Sequence, residues 1–244
     1  MGEIRNGGTS VNRAARNILA ICIAILPINI YMIWYRLTQT ENFSTSDMMV
    51  YPLLFGGGSV VLILLLNKYL IKDTFKVTFN SGKGKWYWDV LVGFLLTAIY
   101  FGLFYIERAT IYQWIPRNSP PSTELIDVMV DLANNPLLLA LWFGPVLWIG
   151  IALFEEISRV FFLKCLWNIN SNKSWDVVAI LLASTLIGLA HIYQGTAGVI
   201  SIGFKSVIMG FYFHKYRRLL PLIISHGLYD GFQFLFFVIQ FQEH

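Results

Sequence analysis

Charged residues are scarce in this sequence of 244 residues. Asp, Glu, Lys and Arg make up only 13% of it, hydrophobic residues make up 56%, and the mean hydropathy is +0.60. A soluble domain typically carries about 25% charged residues, so this chain has too few to cover the surface of a water-soluble globule. The abundance of Leu, Ile, Val and Phe also excludes a disordered chain. The composition therefore predicts a polytopic membrane protein.

Cysteine is scarce as well. The two cysteines, Cys22 and Cys165, both lie in apolar stretches, so the sequence offers neither a disulfide framework nor a thiolate metal cage. The net charge of +4 is interpreted as a mark of membrane orientation, not of nucleic-acid binding. The lipid bilayer is the expected partner, and no nucleic acid is expected.

What the sequence does contain is a series of long apolar runs. A helix needs roughly 20 apolar residues to span the hydrocarbon core of a bilayer. The runs predict an all-α polytopic transmembrane bundle of about seven spans, of which the fourth is long and the fifth and sixth are short. They lie near 17–35, 49–71, 87–106, 136–166, 175–192, 197–213 and 219–240.

The basic residues are distributed unevenly between the predicted loops. If the N-terminus is cytoplasmic, 13 of the 18 Lys and Arg residues fall on the inner side and three on the outer side. Such a bias is typical of membrane proteins. The sequence therefore predicts a multi-pass protein of the cell (plasma) membrane with a cytoplasmic N-terminus.

The predicted chain divides at residue 135. Residues 1–135 hold three N-terminal spans and a short amphipathic helix in the external loop, with Leu125, Val128, Met129 and Leu132 at helical spacing and Ser122 as its N-cap. An ordinary capping helix is favoured here over a substrate gate. Residues 136–240 form the second unit, the predicted functional core, in the last four spans.

Ionisable residues inside the predicted spans are few, and each costs roughly 2.5–3.5 kcal/mol at the bilayer centre even on lenient scales. Glu155 and Glu156 stand four and three residues before Arg159, which can neutralise either carboxylate. His226 and Asp230 are also one helical turn apart. Together with His191 at the end of the fifth span, these groups could activate water and stabilise an oxyanion.

The same residues also allow structural interpretations. A neutralised structural Glu–Arg pair and hydrogen-bonded histidines are the alternatives, and Lys205 is interpreted as a snorkelling or partner-binding side chain.

Three motifs in this region resemble those of the CPBP intramembrane proteases, the CAAX protease and bacteriocin-processing (Abi) family. The sequence FEEISRVFFL at 154–163 resembles the first motif, a Glu pair followed by Arg. STLIGLAH at 184–191 resembles the second, which ends in His, and HGLYD at 226–230 resembles the third. The motifs occur in the family's order, on apolar helices, over about residues 140–240.

The sequence departs from the family pattern at three positions. Val160 stands where the family has Arg, and Arg159 comes one residue earlier, so the charge-pairing role is carried over to Arg159 acting on Glu155 one turn away. Ile187 replaces a Phe. Asp230 stands where many members have Asn, and an ionised Asp cannot donate a hydrogen bond to an oxyanion.

The resemblance implies an endopeptidase that hydrolyses peptide bonds of a membrane-associated protein or peptide, with a prenylated substrate among the options. Glu155 would be the general base on water, helped by His191, and His226 with Asp230 would stabilise the oxyanion. Glu156 and Arg159 would support the Glu155 helix. Two histidines and a glutamate could ligate zinc, but the sequence has no His-Glu-x-x-His motif, so a mechanism without a cofactor is favoured.

Two other functions stay open from the sequence. A proton-coupled transporter would also use intramembrane ionisable groups, although no internal repeat is evident. An inert membrane binding or immunity protein would tolerate the displaced arginine.

Helix geometry also constrains the depths of the two histidines. Counted along ideal helices, His191 lies about 24 Å from Trp175 and His226 about 10 Å from Leu219, so the two histidines meet only if the fifth span is tilted or begins outside the bilayer.

Overall fold

All regular structure in the described part of the chain is helical. The computed structural model describes residues 7–38, 44–114, 123–170 and 172–242. Seven stretches within these ranges are long and apolar enough to cross a membrane, which confirms the predicted all-α polytopic bundle. They are Asn12–Tyr31, Asp47–Ile71, Trp86–Ala109, Pro136–Trp167, Lys173–Ala190, Gly195–Tyr216 and Leu220–Ile239.

Several of these stretches are built from more than one helix. The α-helices in chain order are α1 (Gly7–Ala24), α2 (Leu26–Thr38), α3 (Thr45–Tyr51), α4 (Gly57–Leu66), α5 (Phe75–Phe79), α6 (Trp86–Ala109), α7 (Ile111–Trp114), α8 (Thr123–Asn134), α9 (Pro136–Leu141), α10 (Phe154–Trp167), α11 (Lys173–Ala190), α12 (Gly195–Tyr216) and α13 (Leu220–Gln242). Wider π-helical segments join some of them, at Pro52–Gly56, Asn67–Ile71 and Trp142–Leu153.

The fourth stretch is the longest, at 32 residues. Its backbone leaves helical geometry at Gly144 (φ −90°, ψ −109°), directly before Pro145. Proline has no N–H to donate and excludes the α conformation of the preceding residue, so the helix breaks there. The π-helical segment then leads into α10, whose first turn carries Glu155 and Glu156. The acidic pair is thereby placed in the interior of the long span.

The second and fourth stretches touch through their backbones. A Cβ added to Gly56 would lie 2.3 Å from the Gly150 carbonyl oxygen, and one added to Gly150 would lie 2.7 Å from the Pro52 carbonyl carbon. Close packing therefore depends on the absence of a side chain at both glycines. At Gly57 and Gly58, in contrast, an added Cβ meets no atom within 4 Å, so these two glycines are not required for close packing.

Helix α13 runs parallel to α6 but begins deeper in the bundle. The Thr97 hydroxyl donates to the Ser225 carbonyl oxygen (3.4 Å). Thr97 is 11 residues beyond the start of α6, whereas Ser225 is five beyond the start of α13, an offset of about 9 Å at 1.5 Å per residue. His226, in the second turn of α13, therefore lies deeper in the bundle than counting from a start level with α6 predicts.

Arg218 fixes this deep start of α13. Its Nε donates to Asp89 Oδ1 at 2.9 Å, and its Nη1 donates to the carbonyl oxygens of Gly82 (3.1 Å) and Gly84 (3.2 Å). The hydrogen bonds to Asp89 raise the pKa of the Arg218 guanidinium. The residue that precedes Leu219 and α13 is thus tied to the first turn of α6 and to the loop before it.

The predicted amphipathic helix corresponds to α8. Val128, Leu132 and Ala133 are buried and pack in one cluster with Phe234 of α13, while Asp127 is exposed. The apolar face of α8 therefore packs against α13. The proposed N-cap, Ser122, lies outside the described residues.

The contact between Gly56 and Gly150 can be tested by adding one methyl group. We expect Gly150→Ala to lower the free energy of unfolding by about 1–3 kcal/mol, because the new Cβ would overlap the Pro52 backbone. Gly57→Ala is the matched control and is expected to be neutral or up to about 1 kcal/mol stabilising, because alanine favours the helix. Thermal unfolding in detergent measures both; equal melting temperatures for the two variants would contradict the packing.

Candidate active site

The six site residues nominated from the motifs meet at one place inside the bundle. They come from three helices and line a cavity of about 740 Å³. Three are on α10, one follows the end of α11 and two are on α13: Glu155, Glu156, Arg159, His191, His226 and Asp230.

Glu155 lies between the two histidines. Its Oε1 is 3.8 Å from His191 Nε2, and its Oε2 is 3.8 Å from His226 Nε2. These separations exceed a direct hydrogen bond, and they suit a water molecule that contacts the carboxylate and an imidazole together. The Glu155 side chain is 24% exposed and lines the cavity.

His191 is oriented by its own helix. Its Nδ1 is 2.8 Å from the Ile187 carbonyl oxygen, one turn earlier. Because a carbonyl oxygen only accepts hydrogen bonds, Nδ1 carries the proton and donates it. The other ring nitrogen, Nε2, is thereby directed at Glu155. The chain leaves α11 at His191, and the turn that follows ends at Gly195 with φ 78°, a left-handed conformation that favours glycine.

His226 contacts three carboxylates. Its Nδ1 donates to Glu156 Oε1 at 2.8 Å, and its Nε2 lies 3.3 Å from Asp230 Oδ2 and 3.8 Å from Glu155 Oε2. The same Glu156 oxygen accepts a hydrogen bond from Arg159 Nη1. Glu156 is fully buried, with 0% of its side chain exposed, so the guanidinium and the imidazole supply the compensation that a buried carboxylate requires.

The arginine therefore pairs with Glu156, whereas the sequence interpretation carried its role over to Glu155. The i, i+3 spacing brings Arg159 to Glu156, and Val160, at the position where the family has Arg, is fully buried in the apolar core. Only the residue at 159 faces the polar interior. The displaced arginine still neutralises the acidic pair, but through its second member.

A second polar cluster, which the sequence interpretation missed, lies in the same interior. Lys205 of α12 forms an ion pair with Glu107 of α6 (Nζ to Oε2, 3.2 Å) and donates to Ser201 Oγ and Tyr229 Oη. Of the two interpretations of Lys205, snorkelling and partner binding, the structure supports the second, because its ammonium points to this interior partner. The sequence signal for this cluster was Glu107 itself, an acidic residue in the last turn of a mostly apolar helix.

No group of three or more His, Cys, Asp or Glu side chains in the described part of the chain is arranged to hold a metal ion. The side chains around Glu155 are instead arranged in pairs. Each imidazole faces one oxygen of the Glu155 carboxylate. This geometry suits proton transfer and hydrogen bonding to a small molecule between carboxylate and imidazole.

Fold and site together define the class of the molecule: a multi-pass helical membrane protein with a carboxylate–imidazole centre in its interior. Residues 136–232 match the family described as Type II CAAX prenyl endopeptidase Rce1-like. The match confirms the resemblance to the CAAX proteases over this segment and supports an intramembrane endopeptidase. No curated protein and no solved structure matches the chain significantly.

The buried pair of Glu156 and Arg159 makes a prediction about stability. We expect Arg159→Leu to lower the free energy of unfolding by about 3–5 kcal/mol, because Glu156 would lose its neutralising partner. The double variant Glu156→Leu/Arg159→Leu should recover part of this loss, since it removes both charges of the pair, while His226 Nδ1 loses its acceptor. Thermal unfolding in detergent and the yield of monodisperse protein measure both effects. A single variant as stable as the double would contradict the assignment.

Proposed function

We propose that the chain is an intramembrane endopeptidase in which Glu155 activates a water molecule to hydrolyse a peptide bond. The observation that carries the proposal is the position of the Glu155 carboxylate, with Nε2 of His191 and of His226 each 3.8 Å from one of its oxygens. The family match over residues 136–232 supports the endopeptidase activity.

The attack on the peptide bond begins with the water. Glu155 accepts a proton from the water, and His191 Nε2 accepts a hydrogen bond from the same molecule, which orients a lone pair toward the substrate carbonyl carbon. The hydroxide adds to the carbonyl carbon and forms a tetrahedral intermediate. When the C–N bond breaks, the protonated Glu155 returns the proton to the leaving amine.

The oxyanion is stabilised from the other side of Glu155. His226 is held by two carboxylates, with Nδ1 on Glu156 and Nε2 near Asp230. A doubly protonated imidazole in this position donates from Nε2 to the developing oxyanion. Asp230, when ionised, only accepts hydrogen bonds, so its role is to orient and charge His226, and Arg159 balances Glu156.

The proposed substrate is a membrane-associated protein or peptide with a prenylated C-terminal sequence of the CAAX type. The description of the matched family supports this substrate class. The cavity offers both kinds of surface that such a molecule needs, because the polar centre is continuous with an apolar wall. The wall includes Ile28, Tyr31, Phe55, Phe104, Met129 and Trp142.

The proposed location is the cell membrane, with the N-terminus on the cytoplasmic side. The seven apolar stretches show a multi-pass integral membrane protein. The bias of Lys and Arg toward one set of loops supports the orientation.

The first test of the activity replaces the proposed base. Glu155→Gln keeps the size and polarity of the side chain but removes the proton acceptor, so cleavage of a farnesylated CAAX peptide in liposomes should fall by about 10²–10⁴-fold. Asp127→Asn, on the exposed face of α8, is the matched control and should cleave like the wild type. Comparative proteomics of membrane peptides from cells with either variant would identify natural substrates.

His191→Ala should also abolish cleavage while the protein stays folded in detergent. Wild-type cleavage in the Glu155 or the His191 variant would overturn the proposed mechanism. If neither the wild type nor any variant cleaves a candidate substrate from the proteomic comparison, the result would instead favour an inert binding protein.

The metal-free mechanism is tested by chelation. We expect 1,10-phenanthroline and EDTA to leave the rate of wild-type cleavage unchanged within about twofold, since neither the base nor the oxyanion donor requires a metal in this mechanism. Elemental analysis of the active protein provides a second measurement. Loss of activity on chelation and its recovery on addition of Zn²⁺ would show that the two histidines and Glu155 act as metal ligands.

A further inference from the structure

Lys205 occupies an unusual position for a lysine in an apolar helix. Its side chain is only 13% exposed, and its ammonium lies within hydrogen-bonding distance of three oxygen atoms. Nζ is 2.9 Å from Ser201 Oγ, 3.1 Å from Tyr229 Oη and 3.2 Å from Glu107 Oε2. An ammonium group has three N–H donors, so these three acceptors match its full capacity.

The three acceptors belong to three different helices. Glu107 is in the last turn of α6, Ser201 is one turn before Lys205 on α12, and Tyr229 is on α13. Ser201 also donates to Glu107 Oε2, which closes the polar contact between α6 and α12. The ammonium therefore links α6, α12 and α13 at one point, in surroundings where a charge without partners is costly.

Tyr229 connects this point to the site. It lies on α13 between His226 and Asp230, and its hydroxyl oxygen also accepts a hydrogen bond from Gln233 Nε2 at 2.8 Å. Its ring packs against the rings of Tyr100 and Phe101 on α6, with centroids 5.6 Å and 5.0 Å away. The aromatic contacts hold the ring of Tyr229, and the hydrogen bond from Lys205 holds its hydroxyl group.

The rotation of α13 about its own axis decides where His226 points. Consecutive residues on a helix are separated by about 100°, so a small rotation of this turn moves His226 Nε2 away from Glu155 and Asp230 together. A displacement of about 1 Å at a catalytic group can lower a rate by about 100-fold.

We infer that Lys205, acting through Tyr229, is a positioning residue that sets the orientation of His226 and Asp230 for catalysis. The inference rests on the proposed endopeptidase function and assigns Lys205 no contact with the substrate. It also gives Glu107 a function, which is to neutralise the ammonium that holds Tyr229.

Two variants break the link without leaving a buried charge unpaired. Tyr229→Phe keeps the ring and removes the acceptor, and Lys205→Met/Glu107→Leu removes both charges of the ion pair. Each should lower kcat for the farnesylated peptide by about 10–100-fold and leave KM within about twofold. A variant that combines all three substitutions should have a kcat no lower than that of the Tyr229→Phe or the double variant alone, because both changes remove the same contact. Lys215→Met, an exposed lysine on the same helix, is the control.

The NMR signals of the ring nitrogens of His226, assigned in ¹⁵N-histidine-labelled protein, provide a readout that does not depend on cleavage. These signals should shift in Tyr229→Phe and in Lys205→Met/Glu107→Leu, and they should stay unchanged in Lys215→Met. Unshifted signals together with wild-type kcat in the double variant would show that the ion pair is structural only and would overturn the inference. If the wild type cleaves no peptide, the proposed function fails, and the NMR comparison alone decides whether Lys205 positions His226.

Discussion

The Glu156 carboxylate is the group on which the rest of the site depends. One of its oxygens accepts from both Arg159 and His226, so a single buried atom joins α10 to α13 and sets the ring of His226. A charge at this depth is tolerated only with such partners. The requirement that Glu156 be neutralised therefore constrains both the arginine beside it and the histidine across from it.

Side-chain contacts hold helix α13 at several points along its length. Arg218 ties its start to Asp89, His226 ties its second turn to Glu156, and Tyr229 ties the next turn to Lys205. Between apolar helices in lipid, packing alone resists sliding and rotation only weakly, and polar contacts add specificity. Arg218, Asp89 and Lys205 lie outside the family motifs, yet they contact the helix that carries His226 or the segment leading into it.

The sequence predicted the number of spans and nominated six residues that the structure brings together, because both rest on local patterns. Apolar length defines a span, and helical spacing within three motifs places Glu155, His226 and Asp230 on inward faces. It did not predict the pairing of Arg159 or the depth of α13. Those depend on contacts between residues far apart in the chain, such as Arg218 with Asp89. Ideal helix counting treats every span as starting at the same level, whereas α13 begins about 9 Å further into the bundle than α6.

Residues from both halves of the chain line the cavity. The six residues of the proposed catalytic centre lie within residues 136–232, the segment that matches the family, whereas part of the apolar wall comes from earlier helices, through Ile28, Tyr31, Phe55 and Phe104. The close contact of Gly56 with Gly150 holds the earlier wall against the long span that carries Glu155. In the proposed mechanism the reacting groups therefore come from the matched segment, whereas the cavity that a substrate would enter is lined by both parts of the chain. Under the proposed function, chains with the same motifs but different N-terminal spans are expected to share the chemistry and to differ in the substrates that fit the cavity.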